Sequence, residues 1–190
     1  MKLKRVLPYA KQLLTETVES GDIVVDATAG NGHDTLFLTE LVGAHGHVYA
    51  FDVQAEAILA TTKRLKEANK LEIATLINDG HENLNLYIKQ EVSAAIFNLG
   101  YLPGSNHEIV TRGESTQRAI ESLLQLLKVG GIIVLVVYHG HAGGKEEKDS
   151  ILRFVQGLSQ SFVHVLSYQF LNQQNDPPFI IAIEKMKQLQ

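Results

Sequence analysis

Residues 23–35 read IVVDATAGNGHDT, and this stretch decides the fold. An apolar strand, Ile23 to Ala27, leads into a turn with glycine at positions 30 and 32, and a helix follows from about His33. Glycine adopts dihedral angles that other residues avoid, and it leaves room for a ligand beside the main chain. The helix start adds backbone N–H groups that lack intrahelical partners. The stretch therefore predicts a strand–turn–helix unit that binds a ligand at its turn.

An acidic residue, Asp52, lies twenty residues after Gly32, at the end of the next apolar run. A carboxylate in this position can accept hydrogen bonds from both hydroxyls of a ribose. The alternative is that Asp26 and Asp52 only end strands and cap helices. We favour a nucleoside-containing cofactor, and the predicted contacts are Asp26, Ala29, Gly30, Asn31, Gly32, His33, Asp34, Thr35, Asp52 and Gln54.

Two cofactors fit this outline. A dinucleotide site has the pattern G-x-G-x-x-G/A, in which a small third residue allows close packing of helix on strand. Here Thr35 occupies the third position. The carboxylate of Asp26 would repel a pyrophosphate but would attract a cationic sulfonium cofactor. The pattern is therefore closer to an S-adenosylmethionine site than to an NAD site.

Composition limits the class of protein. A chain of 190 residues is the size of one ordinary domain, so we expect a single domain over residues 1–190. The absence of cysteine excludes disulfides, thiolate metal sites and cysteine catalysis. The basic start of the chain has no apolar run after it and is not typical of a secretory signal, so we expect a cytoplasmic protein. The net charge of −4 argues against bulk electrostatic binding to nucleic acid but leaves room for a local basic face.

Helices and strands are expected to alternate along most of the chain. Residues 162–170 and 178–183 form two apolar runs whose short connection leaves no room for a helix, so they are expected to pair antiparallel. The predicted fold is α/β: a Rossmann-like, doubly wound, mainly parallel seven-stranded sheet with a C-terminal antiparallel hairpin, the class I methyltransferase architecture. Helices are expected at 6–18, 33–41, 54–69, 116–127 and 145–159, and the other strands at 23–27, 47–51, 73–77, 94–98 and 132–138.

Polar residues follow the third and fourth strands, where a ligand would meet the sheet. We predict that Asp79, Gly80 and His81 contact an adenine; the alternative is that Asp79 and Glu82 form a helix capping box. After strand four, the spacing Asn98-x-x-Tyr101 matches the signature [DNS]-P-P-[YF] of amino-nitrogen methyltransferases, with leucine and glycine in place of both prolines. In that signature the polar side chain accepts a hydrogen bond from the target amine, and the aromatic ring holds its planar carrier. Tyr101 could instead be an ordinary loop aromatic.

The loop after strand five carries His139 and His141. Histidine can accept a proton near neutral pH or contact phosphate, and we assign the proton-accepting role to His139. The pair also suggests a metal site, but the sequence offers no convincing set of partner ligands, so no metal is predicted. The later stretch 175–179, NDPPF, resembles the amino-methylation signature in its letters. Because it precedes the last strand, a hairpin turn held by prolines is the better interpretation.

These motifs in combination resemble a compact bacterial rRNA methylase family that was later connected with tRNA wobble-uridine modification. The resemblance covers nearly the whole chain. It implies an S-adenosylmethionine-dependent enzyme that converts 5-aminomethyl-2-thiouridine to 5-methylaminomethyl-2-thiouridine at tRNA position 34. The partners it predicts are a tRNA anticodon stem-loop and a second copy of the chain in a homodimer. Candidate cations for the anticodon phosphates are Lys2, Lys4, Arg5, Arg112, Lys145 and Lys148.

Four alternatives to this assignment stay open at the level of sequence. The nearest is methylation of ribosomal RNA. A methyltransferase acting on an amine of a protein or small molecule would share the loop that follows strand four. A nicotinamide-dependent oxidoreductase is disfavoured by Thr35 and by the terminal hairpin. The fourth is a regulator that binds S-adenosylmethionine without transferring its methyl group.

Overall fold

One mixed sheet organises the chain in a computed structural model that describes residues 2–100, 113–140 and 143–188. Within these residues the strands are β1 (Ile23–Asp26), β2 (His47–Phe51), β3 (Ala74–Ile77), β4 (Val92–Leu99), β5 (Leu127–Val137), β6 (Val163–Tyr168) and β7 (Phe179–Lys185). The helices are α1 (Val6–Thr17), α2 (His33–Val42), α3 (Ala55–Glu67), α4 (Leu84–Tyr87), α5 (Gly113–Leu126) and α6 (Gly144–Gln156).

The strand order in the sheet is β3-β2-β1-β4-β5-β7-β6. Strands β1 to β5 pair in parallel, whereas β7 runs antiparallel to both β5 and β6. The predicted fold class is confirmed, including the terminal hairpin. The order reverses at β1, which lies between β2 and β4, and such a reversal opens a crevice at the carboxyl ends of the strands.

Both faces of the sheet are covered, which explains why the central strands are apolar runs rather than alternating ones. One face packs against α1 and α2 and includes Leu14 and Leu38, both fully buried. The opposite face packs against α5 and α6 and includes Ile120 and Ile151. Among the described residues, no helix is both long and apolar enough to cross a membrane.

The start of β5 differs from the prediction. The sequence indicates a turn over 128–131 and a strand from 132, but the strand begins at Leu127, and the predicted turn is wrong. Leu127 pairs with Val92 and Ile132 pairs with Ala94, so the ladder is irregular in between. Gly130 has φ +80 in this stretch. Residues 128–131 lie between these two paired positions, and Gly130 supplies the left-handed conformation at this irregularity of the strand.

Candidate cofactor and substrate site

The turn between β1 and α2 lies at the crevice and depends on glycine. Gly30 and Gly32 have φ of 52° and 76°, in the left-handed region that favours glycine. Gly32 directly precedes α2, and its N–H donates to the Ala29 carbonyl at 2.8 Å. A Cβ on Gly32 would lie 2.9 Å from the Cα of Thr61. The turn thus needs glycine at 32 both for its dihedral angles and for the close approach of α3.

Asp52 follows β2 and holds the turn through its carboxylate. Oδ2 accepts a hydrogen bond from the Gly30 N–H at 2.9 Å, and Oδ1 accepts one from the Gln54 N–H at 3.0 Å. The Asn78 amide donates to the Asp52 carbonyl at 2.9 Å. An ionised carboxylate has about four lone-pair sites, so both oxygens keep capacity for the hydroxyls of a ribose. Asp52 thus shapes the glycine turn, and its predicted contact with the ribose hydroxyls of the cofactor stays a prediction.

Helix α3 braces the turn from the other side. The Thr61 hydroxyl donates to the Gly30 carbonyl at 3.1 Å, and Arg64 Nε donates to the Asn31 carbonyl at 2.6 Å. Arg64 Nη2 lies 3.1 Å from His33 Nε2. Because arginine only donates, His33 accepts through Nε2. Sequence reasoning missed both α3 residues; the available signal was their spacing of three, which places two polar side chains on one helix face.

Asp26 lies fully buried at the end of β1 beneath the turn. The Thr35 hydroxyl donates to its Oδ2 at 2.6 Å, and the Thr28 N–H donates to its Oδ1 at 3.1 Å. Burial, followed by the negative charge of Asp34, raises the pKa of Asp26 to about 7. A cation in the crevice would favour the ionised carboxylate. Asp26 and Thr35 thus join β1 to α2, and their predicted contact with the cofactor stays a prediction.

The raised pKa also gives Asp26 a pH-dependent effect on stability. With a folded-state pKa of about 7 against 3.8 for the ordinary group, its contribution is fully present below about pH 4 and is lost as the pH rises through 7.

The residues after β3 make contacts within the fold. Asp79 accepts hydrogen bonds from the Gly80 N–H, the Asn83 amide and the Tyr87 hydroxyl. The Asn83 amide and then the Tyr87 hydroxyl hold the pKa of Asp79 below its usual value. Gly80 rather than Asp79 is the N-cap residue of the following turn. Asp79 therefore supports the local structure without forming the capping box with Glu82 that the sequence offers as an alternative. Contact of Asp79 or Gly80 with an adenine stays a prediction.

His81 is buried between the first and fourth strands. Its Nδ1 donates to the Ala27 carbonyl at 3.1 Å, and its ring packs edge-on against Phe97, with 5.3 Å between centroids. Burial lowers the pKa of His81, so the neutral ring is favoured. This arrangement joins the turn after β3 to the end of β1, and the predicted role of His81 beside an adenine is untested.

Asn98, the next-to-last residue of β4, is held in one orientation. Its Nδ2 donates to Asp34 Oδ2 at 2.9 Å, and its backbone N–H donates to the Thr28 hydroxyl oxygen at 2.7 Å. Lys11 Nζ lies 3.8 Å from the other oxygen of Asp34. Because a carboxylate only accepts, the NH₂ group must face Asp34, and the amide oxygen is the atom of this side chain that can accept from a further partner. Asn98 and Asp34 are site residues that the sequence predicts, whereas the contacts of Thr28 and Lys11 with them are found only in the structure.

Three residues of the sequence-based predictions lie outside the described residues: Tyr101 after strand four, the candidate phosphate contact Arg112, and His141 after strand five. His139 is buried just beyond β5, and its ring centroid lies 5.6 Å from that of Phe179. Among residues 2–100, 113–140 and 143–188, no three His, Cys, Asp or Glu side chains are grouped to hold a metal ion.

Solved structures with this fold are similar over nearly the whole chain. A Clostridium thermocellum protein described as a "putative rRNA-methylase" is 45% identical, with a TM-score of 0.96, and the match covers 98% of this chain and 100% of that one. A Streptococcus mutans protein described as a "putative methyltransferase", solved in complex with SAH, is 41% identical with a TM-score of 0.90, covering 97% and 99% of the two chains. Fold and crevice define a class I methyltransferase, an enzyme whose cofactor is S-adenosylmethionine.

The family follows from the sequence comparisons. The family model described as "Putative rRNA methylase" matches residues 48–184, and the chain belongs to that family. A chloroplastic tRNA (mnm5s2U34)-methyltransferase of Arabidopsis thaliana is 35% identical over 192 aligned positions, which cover 96% of this chain and 70% of the plant protein. The residues present fit the cofactor, because the carboxylate of Asp52, at the glycine turn, keeps acceptor capacity for a ribose beyond its bonds to the Gly30 and Gln54 N–H groups.

Gly32→Ala is expected to lower both stability and cofactor affinity. The left-handed φ alone costs about 1–2 kcal/mol, and the added Cβ would meet α3 backbone at 2.9 Å. Gly130→Ala is the matched control, since Gly130 has φ +80 with nothing within 4 Å of its would-be Cβ. In urea unfolding, Gly32→Ala should lower the free energy of unfolding by at least about 1 kcal/mol more than Gly130→Ala does. Calorimetry should show at least about tenfold weaker S-adenosylmethionine binding for Gly32→Ala only. Equal effects of the two substitutions would contradict the close approach.

Proposed function

We propose that the enzyme methylates the primary amine of 5-aminomethyl-2-thiouridine at the wobble position of tRNA. The observation that carries the proposal is the environment of Asn98: its side-chain NH₂ donates to Asp34 and its backbone N–H donates to Thr28, which leaves the amide oxygen as an acceptor for a further partner. An acceptor in that position suits a target that has N–H groups. The 35% identical plant relative bears the name of this wobble-uridine reaction, which favours a modified tRNA as the substrate.

The residues would act mainly by positioning the amine. S-adenosylmethionine, when bound, supplies an electrophilic methyl group on a sulfonium. The Asn98 oxygen accepts a hydrogen bond from the neutral amine, and this contact would direct the nitrogen lone pair toward that methyl group. The new N–C bond would form as the sulfonium S–C bond breaks, with the sulfur leaving as a neutral thioether, and the nitrogen would release one proton, for which His139 or water would be the acceptor. Stacking of Tyr101 on the uracil stays a prediction from the sequence.

Ribosomal RNA is the second candidate substrate. The description of the family model favours it, because that description names an rRNA methylase. The two candidates differ in the nitrogen they would present: an aminomethyl group on a wobble uridine is a basic amine, whereas a ring nitrogen or exocyclic amine of an unmodified base is not. A site built around an amine lone pair has no target on unmodified uridine.

Methyl transfer to defined RNAs tests the proposal. The substrates are tRNA from a strain that lacks only this enzyme, an unmodified transcript of the same tRNA, and ribosomes from the same strain. We expect labelled methyl groups only in the strain-derived tRNA, and mass spectrometry of its nucleosides should show conversion of 5-aminomethyl-2-thiouridine to the methylaminomethyl form. Equal incorporation into the transcript, or incorporation into ribosomal RNA alone, would overturn the wobble-amine assignment.

A further inference from the structure

The first fifteen residues carry a local positive charge that opposes the charge of the whole chain. They contain Lys2, Lys4, Arg5 and Lys11, and the first carboxylate of the chain is Glu16, although the net charge is −4. Lys11 is paired with Asp34. The other three cations are exposed. A solvent-exposed cluster of this kind attracts a polyanion even when the protein as a whole is acidic.

Aromatic rings fix this segment to the sheet. The Tyr168 hydroxyl donates to the Lys4 carbonyl at 2.7 Å. The rings of Tyr9 and Tyr168 are stacked, with centroids 4.1 Å apart and an interplanar angle of 29°. Phe170 adds a third ring, 5.9 Å from Tyr168 and nearly perpendicular to it. All three rings are half-buried. We call Lys2, Lys4, Arg5, Tyr9, Tyr168 and Phe170 the basic–aromatic patch.

Sheet register places Tyr168, and with it the patch, at the same end of the sheet as Asn98. Tyr168 pairs with Ile180, Ile180 pairs with Val136, and Val136 pairs with Asn98. The two residues therefore lie in one row, three strand spacings or about 14 Å apart. Val136, Ile180 and Tyr168 all belong to the core beneath α1 and α2, so the row lies on one face of the sheet. A few unpaired nucleotides span such a distance.

We propose that the basic–aromatic patch binds the RNA beside the nucleotide that is methylated. The cations contact backbone phosphates, and the rings stack with an unpaired neighbouring base, which is the combination that single-stranded RNA requires. The inference rests on the proposed function, because it takes the substrate to be an RNA loop whose target nucleotide reaches Asn98. The hydrogen bond from Tyr168 to Lys4 holds the basic N-terminal segment at the end of the sheet where Asn98 lies.

Two double variants test the two parts of the patch. In Lys4→Ala/Arg5→Ala the loss of two cations should weaken binding of an anticodon stem-loop carrying 5-aminomethyl-2-thiouridine, and the slope of log affinity against log salt should fall by about 2. In Tyr9→Leu/Phe170→Leu, which keeps apolar packing and leaves the hydrogen bond from the Tyr168 hydroxyl to Lys4 in place, affinity should fall about 5- to 150-fold with the salt slope unchanged. The matched control is Lys89→Ala/Lys187→Ala, which removes two exposed charges at the opposite edge of the sheet.

Fluorescence anisotropy gives RNA affinity, calorimetry gives S-adenosylmethionine affinity, and methyl transfer is measured separately. We expect cofactor affinity to be unchanged in all three variants and RNA affinity to be unchanged in the control. If the wild type methylates the stem-loop while the patch variants bind it as tightly as the control does, the patch assignment is wrong and the proposed function stands. If Tyr9→Leu/Phe170→Leu lowers cofactor affinity and stability as well as RNA affinity, the rings are structural and the stacking assignment is overturned. If the wild type neither binds nor methylates the stem-loop, both proposals fail.

Discussion

Asp52→Ala is expected to raise the dissociation constant for S-adenosylmethionine at least about 100-fold. The substitution removes the acceptors for two ribose hydroxyls, and hydrogen bonds to a charged group contribute about 1.5–3 kcal/mol each, with tenfold in affinity for each 1.4 kcal/mol. It also removes the acceptors of the Gly30 and Gln54 N–H groups, so the glycine turn loses a support. Isothermal titration calorimetry measures the change directly.

Two further variants make the Asp52 result specific. Asp52→Asn keeps the size of the side chain but turns a donor toward one of the two backbone N–H groups. We therefore expect a smaller loss of S-adenosylmethionine affinity than for Asp52→Ala, about tenfold. Asp149→Ala, an exposed aspartate on α6 that lies 3.8 Å from Lys148, should leave the affinity unchanged. Unchanged affinity in both Asp52 variants would remove this residue from the site, and a preference for NAD in the same titration would contradict the cofactor assignment.

Asn98→Ala is expected to lower kcat for methyl transfer about 100-fold, since a mispositioned amine no longer presents its lone pair to the methyl group. The dissociation constant for S-adenosylmethionine should change little, because Asn98→Ala leaves the bonds of Asp52 to the Gly30 and Gln54 N–H groups in place. Single-turnover transfer to tRNA, with separate calorimetry of cofactor binding, distinguishes the two effects. Asn85→Ala, an exposed asparagine on α4, is the matched control.

The orientation of the Asn98 amide gives a second test of the same site. Asp34→Ala and Thr28→Val each remove one of the groups that hold Asn98, so each should reduce kcat by a smaller factor, about tenfold, while KM for tRNA stays near the wild-type value. Full activity in Asn98→Ala would show that the amide oxygen does not orient the substrate. Full activity in the two supporting variants alone would show that Asn98 needs no fixed orientation.

Local sequence signals predicted the parts of the site that are close in the chain. The strand, the glycine turn and the start of α2 follow from residues 23–35, because apolar runs, glycine and helix starts are recognisable over short windows. Asp52 is farther away, yet it was found because the end of each parallel strand meets the same edge of the sheet. The terminal hairpin followed from the length of its connection, which is too short for a parallel crossover.

Local sequence signals did not predict which helices and strands contact each other through their side chains. Thr61 and Arg64 brace the turn from α3, about thirty residues later in the chain, and their spacing of three indicates a shared helix face but not the segment that this face contacts. The sequence suggested Asp26 as a direct partner of the cofactor, whereas the fold buries it and engages both of its oxygens. Similarly, the contacts of Asp79 with Asn83 and Tyr87 depend on how the chain turns after β3.

The amino-acid sequence by itself determined the succession of strands and helices and the cofactor class, and it predicts Asp52 and Asn98 as site residues, since each of these depends on local periodicity or on the ends of parallel strands. Only the tertiary structure decided how the Asn98 amide is turned, which helix supports the glycine turn, and that the basic N-terminal segment is bonded to Tyr168, which lies in one row with Asn98. The reason is physical: hydrogen-bond direction and side-chain proximity depend on packing between segments distant in sequence, and local patterns carry no information about that packing.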